Sequence, residues 1–161
     1  MEIKTKMKIS TSFKNLKKEY DKKVVRRLND MHDRFEKTDG VEGNPLLYTL
    51  YVRDFGTFEV TLTVLEAGNI NGEFFMTKGH KHKKPRKEVY LLISGEGKLI
   101  LQEKSAQVVK MKKDYFYTIP ARAGHRAVNV GKTQLEFLSI YSKDSGHDYS
   151  FKFKKRILSK K

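Results

Sequence analysis

Residues 77–99, "TKGHKHKKPRKEVYLLISGEGKL", place three candidate metal ligands in the most basic stretch of the chain. One residue separates His80 from His82, and Glu88 follows six residues after His82, at the start of an apolar run. In an extended strand, residues i and i+2 face the same side, so the two imidazoles should point together. A hairpin that brings the next strand alongside would return the Glu88 carboxylate to them. The pattern indicates a site that holds a cation.

A further candidate ligand, His125, lies far downstream in "IPARAGHRAVNV", at another strand entrance. Three imidazoles and one carboxylate suit iron, manganese, nickel, cobalt or zinc, and they suit magnesium or calcium poorly. A lone His-x-His motif is a weak signal. However, three of the five histidines fall into this arrangement, and His147 lies just after the last apolar segment. The combination favours a metal site over a chance grouping.

The composition predicts one domain with one core, because the 161 residues are 38% apolar and 11% aromatic. The absence of cysteine excludes disulfides, thiolate metal sites and a cysteine nucleophile. No apolar run reaches the roughly 18 residues of a spanning helix, and the N-terminal stretch lacks the apolar segment of a secretory signal. These features are compatible with the cytosol, and we expect no membrane partner.

The net charge of +15 is large, and its lysines and arginines crowd into the first 27 and the last ten residues. Such a charge is compatible with a nucleic-acid partner or an acidic substrate. The sequence has no aromatic RNA-binding motif, no paired-cysteine finger and no obvious recognition helix. We expect most of the charge to be solvated surface, with no specific nucleic-acid partner.

Short segments rich in β-branched and aromatic residues predict a mainly β fold. Turn residues separate them, and no helix intervenes, which is typical of an antiparallel sandwich or small barrel. The apolar spacing from Lys22 to Phe35 predicts one short amphipathic helix before the strands. The nine predicted strands are 46–52, 57–65, 73–77, 88–93, 98–102, 106–111, 114–120, 126–130 and 135–141.

Two clusters of residues match the two cupin motifs: His80, His82, Glu88 and Gly95 match the first, and Pro120, His125 and Asn129 match the second. "EFFMTKGHKH", "EVYLLISGEGKLILQ", "YTIPARAGHRAVNVG" and "FLSIYSKDSGHDY" further resemble the archaeal cupin-type glucose-6-phosphate isomerases, as does "VVRRLNDM" near the N-terminus. The resemblance extends from about Val24 to Tyr149. It implies a single cupin domain, a jelly-roll barrel of the double-stranded β-helix type, over 23–150. A basic extension (1–22) precedes it and a basic tail (151–161) follows it.

The resemblance implies a metal-dependent aldose–ketose isomerase that interconverts glucose 6-phosphate and fructose 6-phosphate. It also implies a cytoplasmic homodimer that uses iron(II), with manganese, nickel, cobalt or zinc as other possible ions. The implied ligands are His80, His82, Glu88 and His125. The implied catalytic residues are Glu88, His147 and Tyr141. The implied substrate-binding residues are Thr63, Thr77, Lys78 and Gly79 near the phosphate, and Tyr90 and Tyr149 near the sugar.

Several alternatives stay open on the sequence alone. Another metal-dependent cupin, such as a mannose-phosphate-type isomerase or a dioxygenase, would use the same ligands. A non-catalytic cupin could bind sugar or nucleic acid through its basic surface. For the isomerase, we favour proton transfer through a cis-enediol, with Glu88 as the base and a hydride shift as the rival mechanism.

Overall fold

The apolar segments of the sequence form antiparallel strands in the computed structural model, which describes residues 12–159. Within that range the only helices are single turns of 3-10 helix, at Phe13–Asn15, Leu28–Asp30, His32–Arg34 and Lys143–Ser145. None of them is long and apolar enough to cross a membrane. The strands are β1 (Lys22–Arg27), β2 (Leu46–Asp54), β3 (Phe58–Leu65), β4 (Asn69–Ile70), β5 (Glu73–Phe74), β6 (Lys81–His82), β7 (Glu88–Ser94), β8 (Gly97–Gln102), β9 (Ala106–Lys110), β10 (Phe116–Ile119), β11 (Gly124–Asn129), β12 (Leu135–Ser142) and β13 (His147–Asp148).

Two larger sheets enclose the core. One has six strands in the order β1-β2-β3-β12-β7-β10, and the other has three in the order β11-β8-β9. Alternate residues of β3, β12, β7 and β8 point inward, as period-2 strands require. Side chains of both sheets meet in one buried cluster, which includes Leu47, Leu65, Leu99, Ile100, Ile119 and Phe137. The mainly β prediction is confirmed.

The helix predicted over 22–35 is wrong. Residues 22–27 form β1, which pairs with β2 from Lys22 opposite Val52 to Arg27 opposite Leu46. Two 3-10 turns follow, and they bury Leu28 and Met31. Residues three apart lie on one face of a 3-10 turn, so the apolar spacing resembled that of a longer α-helix. Pairing with β2 overrides this local pattern.

Apart from β1, the strands absent from the prediction are short ones. β4, β6 and β13 have two residues each and carry no apolar alternation. The strand predicted over 73–77 is also shorter, because only Glu73–Phe74 is regular and Met76 makes an isolated bridge to Val128. These pieces depend on tertiary pairing, which local composition does not encode.

Two motif residues shape turns beside the barrel. Gly95, between β7 and β8, has φ +86°, and a Cβ there would lie 2.4 Å from the Gln134 carbonyl oxygen. Asn129 is fully buried, and its amide donates to the carbonyl oxygens of Leu65, Glu66 and Thr133 at 2.8–3.1 Å. Both residues therefore fix the backbone of the loops around them.

The segment 149–159, here called the C-terminal strap, packs along the outside of the barrel. Gln102 accepts a hydrogen bond from the Lys154 amide at 2.8 Å and donates to the Lys152 carbonyl at 3.2 Å. Near the far end, the Arg156 guanidinium binds Glu73 at 2.7 Å. The strap is thus held at several points. The basic extension predicted over 1–22 lies partly outside the described residues, and the domain boundaries stay a prediction.

Candidate metal centre

Three separate chain segments converge on one point inside the barrel. His80 and His125 form a backbone bridge, in which each amide donates to the other residue's carbonyl at 3.2 and 2.9 Å. His82 belongs to β6, and Glu88 is the first residue of β7. The four side chains offer ligand atoms that all lie within 4.8 Å of one another. This arrangement could hold a metal ion.

The Glu88 carboxylate lies at the centre of the three imidazoles. Its Oε2 is 2.8 Å from His125 Nε2, 3.1 Å from His82 Nε2 and 3.9 Å from His80 Nε2. All but His80 are almost fully buried, and the Nε2 atom of His80 is buried without a hydrogen-bond partner. The single-residue spacing of the first two histidines therefore brings both rings to the same carboxylate, as the sequence predicts.

The second ring nitrogens show which atoms are free for a cation. His82 Nδ1 donates to the Arg86 carbonyl at 2.7 Å, and His125 Nδ1 donates to the Ala123 carbonyl at 3.1 Å. In a neutral imidazole, this fixes the proton on Nδ1 and leaves a lone pair on Nε2. Those lone pairs face the lone pairs of a carboxylate oxygen. Such a contact is repulsive unless each imidazole carries a second proton and donates it to the carboxylate, or a metal ion held by nitrogen and oxygen donors lies between the atoms.

The same contacts shift the protonation of the cluster. Burial raises the pKa of Glu88, but the charge of His125 and the hydrogen bonds from His125 and His82 outweigh it and lower the pKa below the usual range. Burial lowers the pKa of His80 to about 2, with a further contribution from His125. Burial also lowers the pKa of His147. The cluster therefore contains an ionised carboxylate and at least one neutral imidazole, which is the form a metal requires.

A cavity of about 520 Å³ opens beside the cluster. The structure brings all the predicted substrate-binding and catalytic residues to its wall, namely Thr63, Thr77, Lys78, Gly79, Glu88, Tyr90, Tyr141, His147 and Tyr149. Of the four predicted metal ligands, only His82 is not part of this lining, because it lies behind Glu88. The roles of these residues stay predictions.

The cavity wall includes residues that the sequence did not single out: Tyr48, Leu50, Thr61, Phe137 and Ser139. Thr61 is two residues before Thr63 on β3, so strand alternation could have identified it. The Tyr48 hydroxyl accepts a hydrogen bond from the Lys78 amide at 3.2 Å. Burial raises its pKa to about 12, so the phenol is neutral. No local pattern marks Tyr48 as a contact of the Lys78 segment.

An ion pair holds the loop between His82 and Glu88. The Arg86 guanidinium donates to both Asp144 oxygens, at 3.1 and 2.9 Å. The amide of Lys84 also donates to the Ser145 carbonyl at 2.9 Å. This loop is thereby fixed to the segment that precedes His147, whose ring centroid is 4.1 Å from that of His80.

The fold resembles that of solved cupins. An oxalate oxidase superposes with a TM-score of 0.54 at 15% identity, covering 71% of this chain and 62% of that one. An oxalate decarboxylase from Lactobacillus farciminis gives a TM-score of 0.51 at 19% identity, over 75% of this chain and 33% of that one. At such identities, the likeness concerns the fold alone. The predicted cupin barrel is confirmed.

The sequence itself gives a closer match. A family model described as glucose-6-phosphate isomerase matches residues 5–158. The glucose-6-phosphate isomerase of Thermococcus litoralis is 38% identical over 140 residues, which cover 80% of this chain and 74% of that one. The enzyme of Pyrococcus horikoshii is 40% identical over the same shares of the two chains. The chain therefore belongs to the cupin-type glucose-6-phosphate isomerase family.

Proposed function

We propose that the protein is a metal-dependent glucose-6-phosphate isomerase, which interconverts glucose 6-phosphate and fructose 6-phosphate. The observation that carries this proposal is the convergence of Glu88 with the Nε2 atoms of His80, His82 and His125 beside the cavity, a donor set that could hold a metal ion. The family match supports an isomerase rather than an oxygenase or a binding-only cupin. The conversion belongs to cytoplasmic sugar metabolism.

The reaction moves hydrogen between C1 and C2 of the sugar. A metal ion held by His80, His82, Glu88 and His125 supplies Lewis acidity where negative charge develops on the two neighbouring oxygens. The donor set suits several divalent transition metals. Iron(II), which the family resemblance implies, is our first candidate, and manganese is the second. Starting from fructose 6-phosphate, the Glu88 carboxylate takes a proton from C1, which gives a cis-enediol. Glu88 then returns this proton to C2. One further proton moves from O1 to O2.

The tyrosines of the cavity act as hydrogen-bond donors to the sugar. Burial raises the pKa of Tyr90, Tyr141 and Tyr149, so their hydroxyls keep their protons at neutral pH. His147 lies between Tyr141 and the metal cluster, with ring centroids 5.5 Å from Tyr141 and 4.1 Å from His80. From that position it can orient a hydroxyl or assist ring opening.

The phosphate end of the substrate requires a cation and hydrogen-bond donors. Lys78 and Gly79 lie in the cavity wall directly before the ligand His80. The Thr77 hydroxyl accepts from the Ala127 amide at 3.0 Å, which leaves its own proton free to donate to the phosphate. Thr63 faces the same cavity from β3. A charged group and several donors thus line the cavity.

The direct test is turnover before and after metal removal. Chelator-stripped protein should not convert fructose 6-phosphate to glucose 6-phosphate, and added iron(II) or manganese should restore the conversion. Glu88→Gln should remain inactive with metal. A matched control is Glu103→Gln, which removes an exposed carboxylate in the turn between β8 and β9. No turnover with any metal, in protein that has bound it, would contradict the proposal.

We also propose a homodimer, because one face of the six-stranded sheet exposes apolar side chains. Leu62, Leu138, Leu91 and Phe116 lie side by side across β3, β12, β7 and β10. Leu62 and Leu138 are buried in a cluster with Leu16, so the exposed apolar surface of this face is at Phe116 and Ile140. With only residues 12–159 considered, 74% of Phe116 and 41% of the nearby Ile140 are exposed. A patch of this kind is typical of a protein contact. Light scattering should give twice the chain mass of 18.8 kDa, and Ile140→Glu should reduce it towards a single chain.

A further inference from the structure

Arg126 is a buried cation on the outer side of the barrel. It follows His125 on β11, so its side chain points away from the metal centre. Only 3% of it is exposed, and the Phe153 ring of the C-terminal strap covers its guanidinium at 4.0 Å. Its Nη1 contacts the sulfur of Met76 at 2.8 Å, and its Nη2 donates to the Lys78 carbonyl at 3.3 Å.

The Arg126 guanidinium has no counter-ion among residues 12–159. No carboxylate of that part of the chain lies within ion-pairing distance of it, and its Nε is buried without a hydrogen-bond partner. Burial lowers the pKa of Arg126 to about 10, and repulsion by Arg34 and Arg156 adds to this effect although Glu73 opposes it. Buried charges in proteins are normally paired, because an unpaired one is costly. The surroundings of Arg126 therefore favour an anion that residues 12–159 do not supply.

A pocket of about 280 Å³, part of it open to solvent, lies beside this guanidinium. Its wall contains four cationic side chains and one carboxylate, together with two phenylalanine rings: Arg34, Arg126, Lys152, Arg156, Asp33, Phe151 and Phe153. Arg34 is 8% exposed, and its Nε is also without a hydrogen bond, although the Asp33 Oδ2 lies 3.3 Å from it. Arg156 is paired with Glu73. Glu36 Oε2 also lies 4.0 Å from the Arg156 Nε. With Asp33, Glu73 and Glu36 counted, positive charge is still in excess.

We propose that this cavity, between Arg34, Arg126 and Arg156, is a second ligand site that binds a phosphate-class dianion. Guanidinium groups present planar pairs of N–H donors that match phosphate oxygens. The site lies on the opposite side of β11 from the metal centre, and the proposal does not depend on the isomerase activity. An anion there would also fasten the strap, because Arg34 donates to the carbonyls of Tyr149 at 2.6 Å and Phe151 at 3.4 Å.

Calorimetric titration of the full-length protein with inorganic phosphate tests the site. The titration is made in Lys78→Ala, so that phosphate binding in the cavity beside the metal cluster is weakened. Inorganic phosphate should still bind with one site per chain. At ten times its dissociation constant, it should raise the unfolding midpoint by roughly 3–6 °C over chloride at equal ionic strength. Absence of binding in Lys78→Ala would overturn the proposal.

Variants at the cavity distinguish the site from general attraction to a basic protein. Arg126→Met in the Lys78→Ala background should abolish phosphate binding, and Arg126→Lys should weaken it at least tenfold, because the planar fork is lost. Lys152→Met should also weaken it, whereas Lys155→Met, which removes an equal exposed charge from the same strap outside the cavity wall, should not. Phosphate binding that Lys152→Met and Lys155→Met weaken equally would contradict the site. Unchanged phosphate binding in a folded Arg126→Met would contradict it as well.

The source of the phosphate can be assigned in the same titration. Inorganic phosphate and glycerol 3-phosphate are compared at equal ionic strength. Binding of inorganic phosphate alone would indicate that the cavity takes the free ion. Binding of both, each lost in Arg126→Met, would indicate that it takes the phosphate group of a metabolite. Either result supports the site.

Discussion

Arg86 and Asp144 form a two-point ion pair that connects the loop between two candidate metal ligands to the segment before His147. The backbone carbonyl of the same Arg86 accepts the Nδ1 proton of His82 at 2.7 Å. A surface ion pair thus acts on the orientation of a buried ligand. Both side chains of the pair are solvent-exposed, so its effect should appear in metal binding more than in stability.

Replacing Asp144 with alanine should weaken metal binding. Without the carboxylate, Arg86 and its carbonyl become more mobile, and His82 loses its fixed orientation. We expect roughly a tenfold rise in the dissociation constant of manganese, with little change in the unfolding midpoint. Competition with a fluorescent chelator measures the constant. Glu103→Ala removes an exposed carboxylate elsewhere and is the control. Equal affinities for Asp144→Ala and Glu103→Ala would show that the pair does not orient His82.

Proton transfer through Glu88 predicts exchange with solvent. When fructose 6-phosphate is converted in heavy water, the glucose 6-phosphate formed should carry deuterium at C2, because a proton held on a carboxylate can exchange before it is returned. Nuclear magnetic resonance of the product measures the label. Product without any deuterium at C2 would favour a hydride shift and remove the role of Glu88 as the base.

The metal-free protein should lose stability in mild acid because of His80. Its pKa falls to about 2 in the folded state, whereas the unfolded chain takes up this proton below about 6.5. Stability is therefore highest above pH 6.5, and it decreases by up to about 1.4 kcal/mol per pH unit below it. His82 acts in the opposite sense, because hydrogen bonds to Glu88 and the Arg86 carbonyl overcome its burial and raise its pKa.

Urea unfolding with chelator at pH 7.5, 6.5 and 5.5 measures this dependence. In His80→Gln, the free energy of unfolding should depend less steeply on pH below 6.5. The difference in slope should correspond to about one bound proton, since the group that titrates has been removed. Identical slopes for the wild-type protein and the variant would show that His80 is not held neutral by the fold.

Lys78→Met should separate substrate binding from chemistry. If Lys78 binds the substrate phosphate, its loss should raise KM for fructose 6-phosphate roughly 10- to 100-fold, because a charge-assisted hydrogen bond is removed. The value of kcat should change less, since the reacting carbons lie at the other end of the sugar. Lys112→Met removes an equal charge from an exposed turn and should leave KM unchanged. A KM shift common to both variants would indicate only long-range attraction by the basic surface.

The sequence predicts that three of the four candidate metal ligands lie together, because that information is local. His80 and His82 are two residues apart in an extended segment, and strand geometry alone brings them to one side. Glu88 joins them through a short loop. The nine apolar segments likewise predict the barrel, since period-2 alternation marks a half-buried strand.

Features that depend on distant pairing are harder to predict. The helix expected over 22–35 is replaced by β1 and two 3-10 turns, because β2 offers a partner that the local pattern cannot reveal. Tyr48 contacts the Lys78 segment from thirty residues away. Arg126 appears as an ordinary outward-facing residue until the strap is seen to cover it. In each case, the position of a second segment decides the environment of the first.

Titration of activity against bound metal tests the central claim most directly. Stripped wild-type protein is loaded with increasing manganese, and its conversion of fructose 6-phosphate is measured beside the metal content of the same samples. We predict that activity rises in proportion to bound metal and stops rising at one ion per chain, and that His125→Gln neither binds this ion nor turns over substrate. Activity that does not depend on metal content, or full occupancy without turnover, would contradict the account.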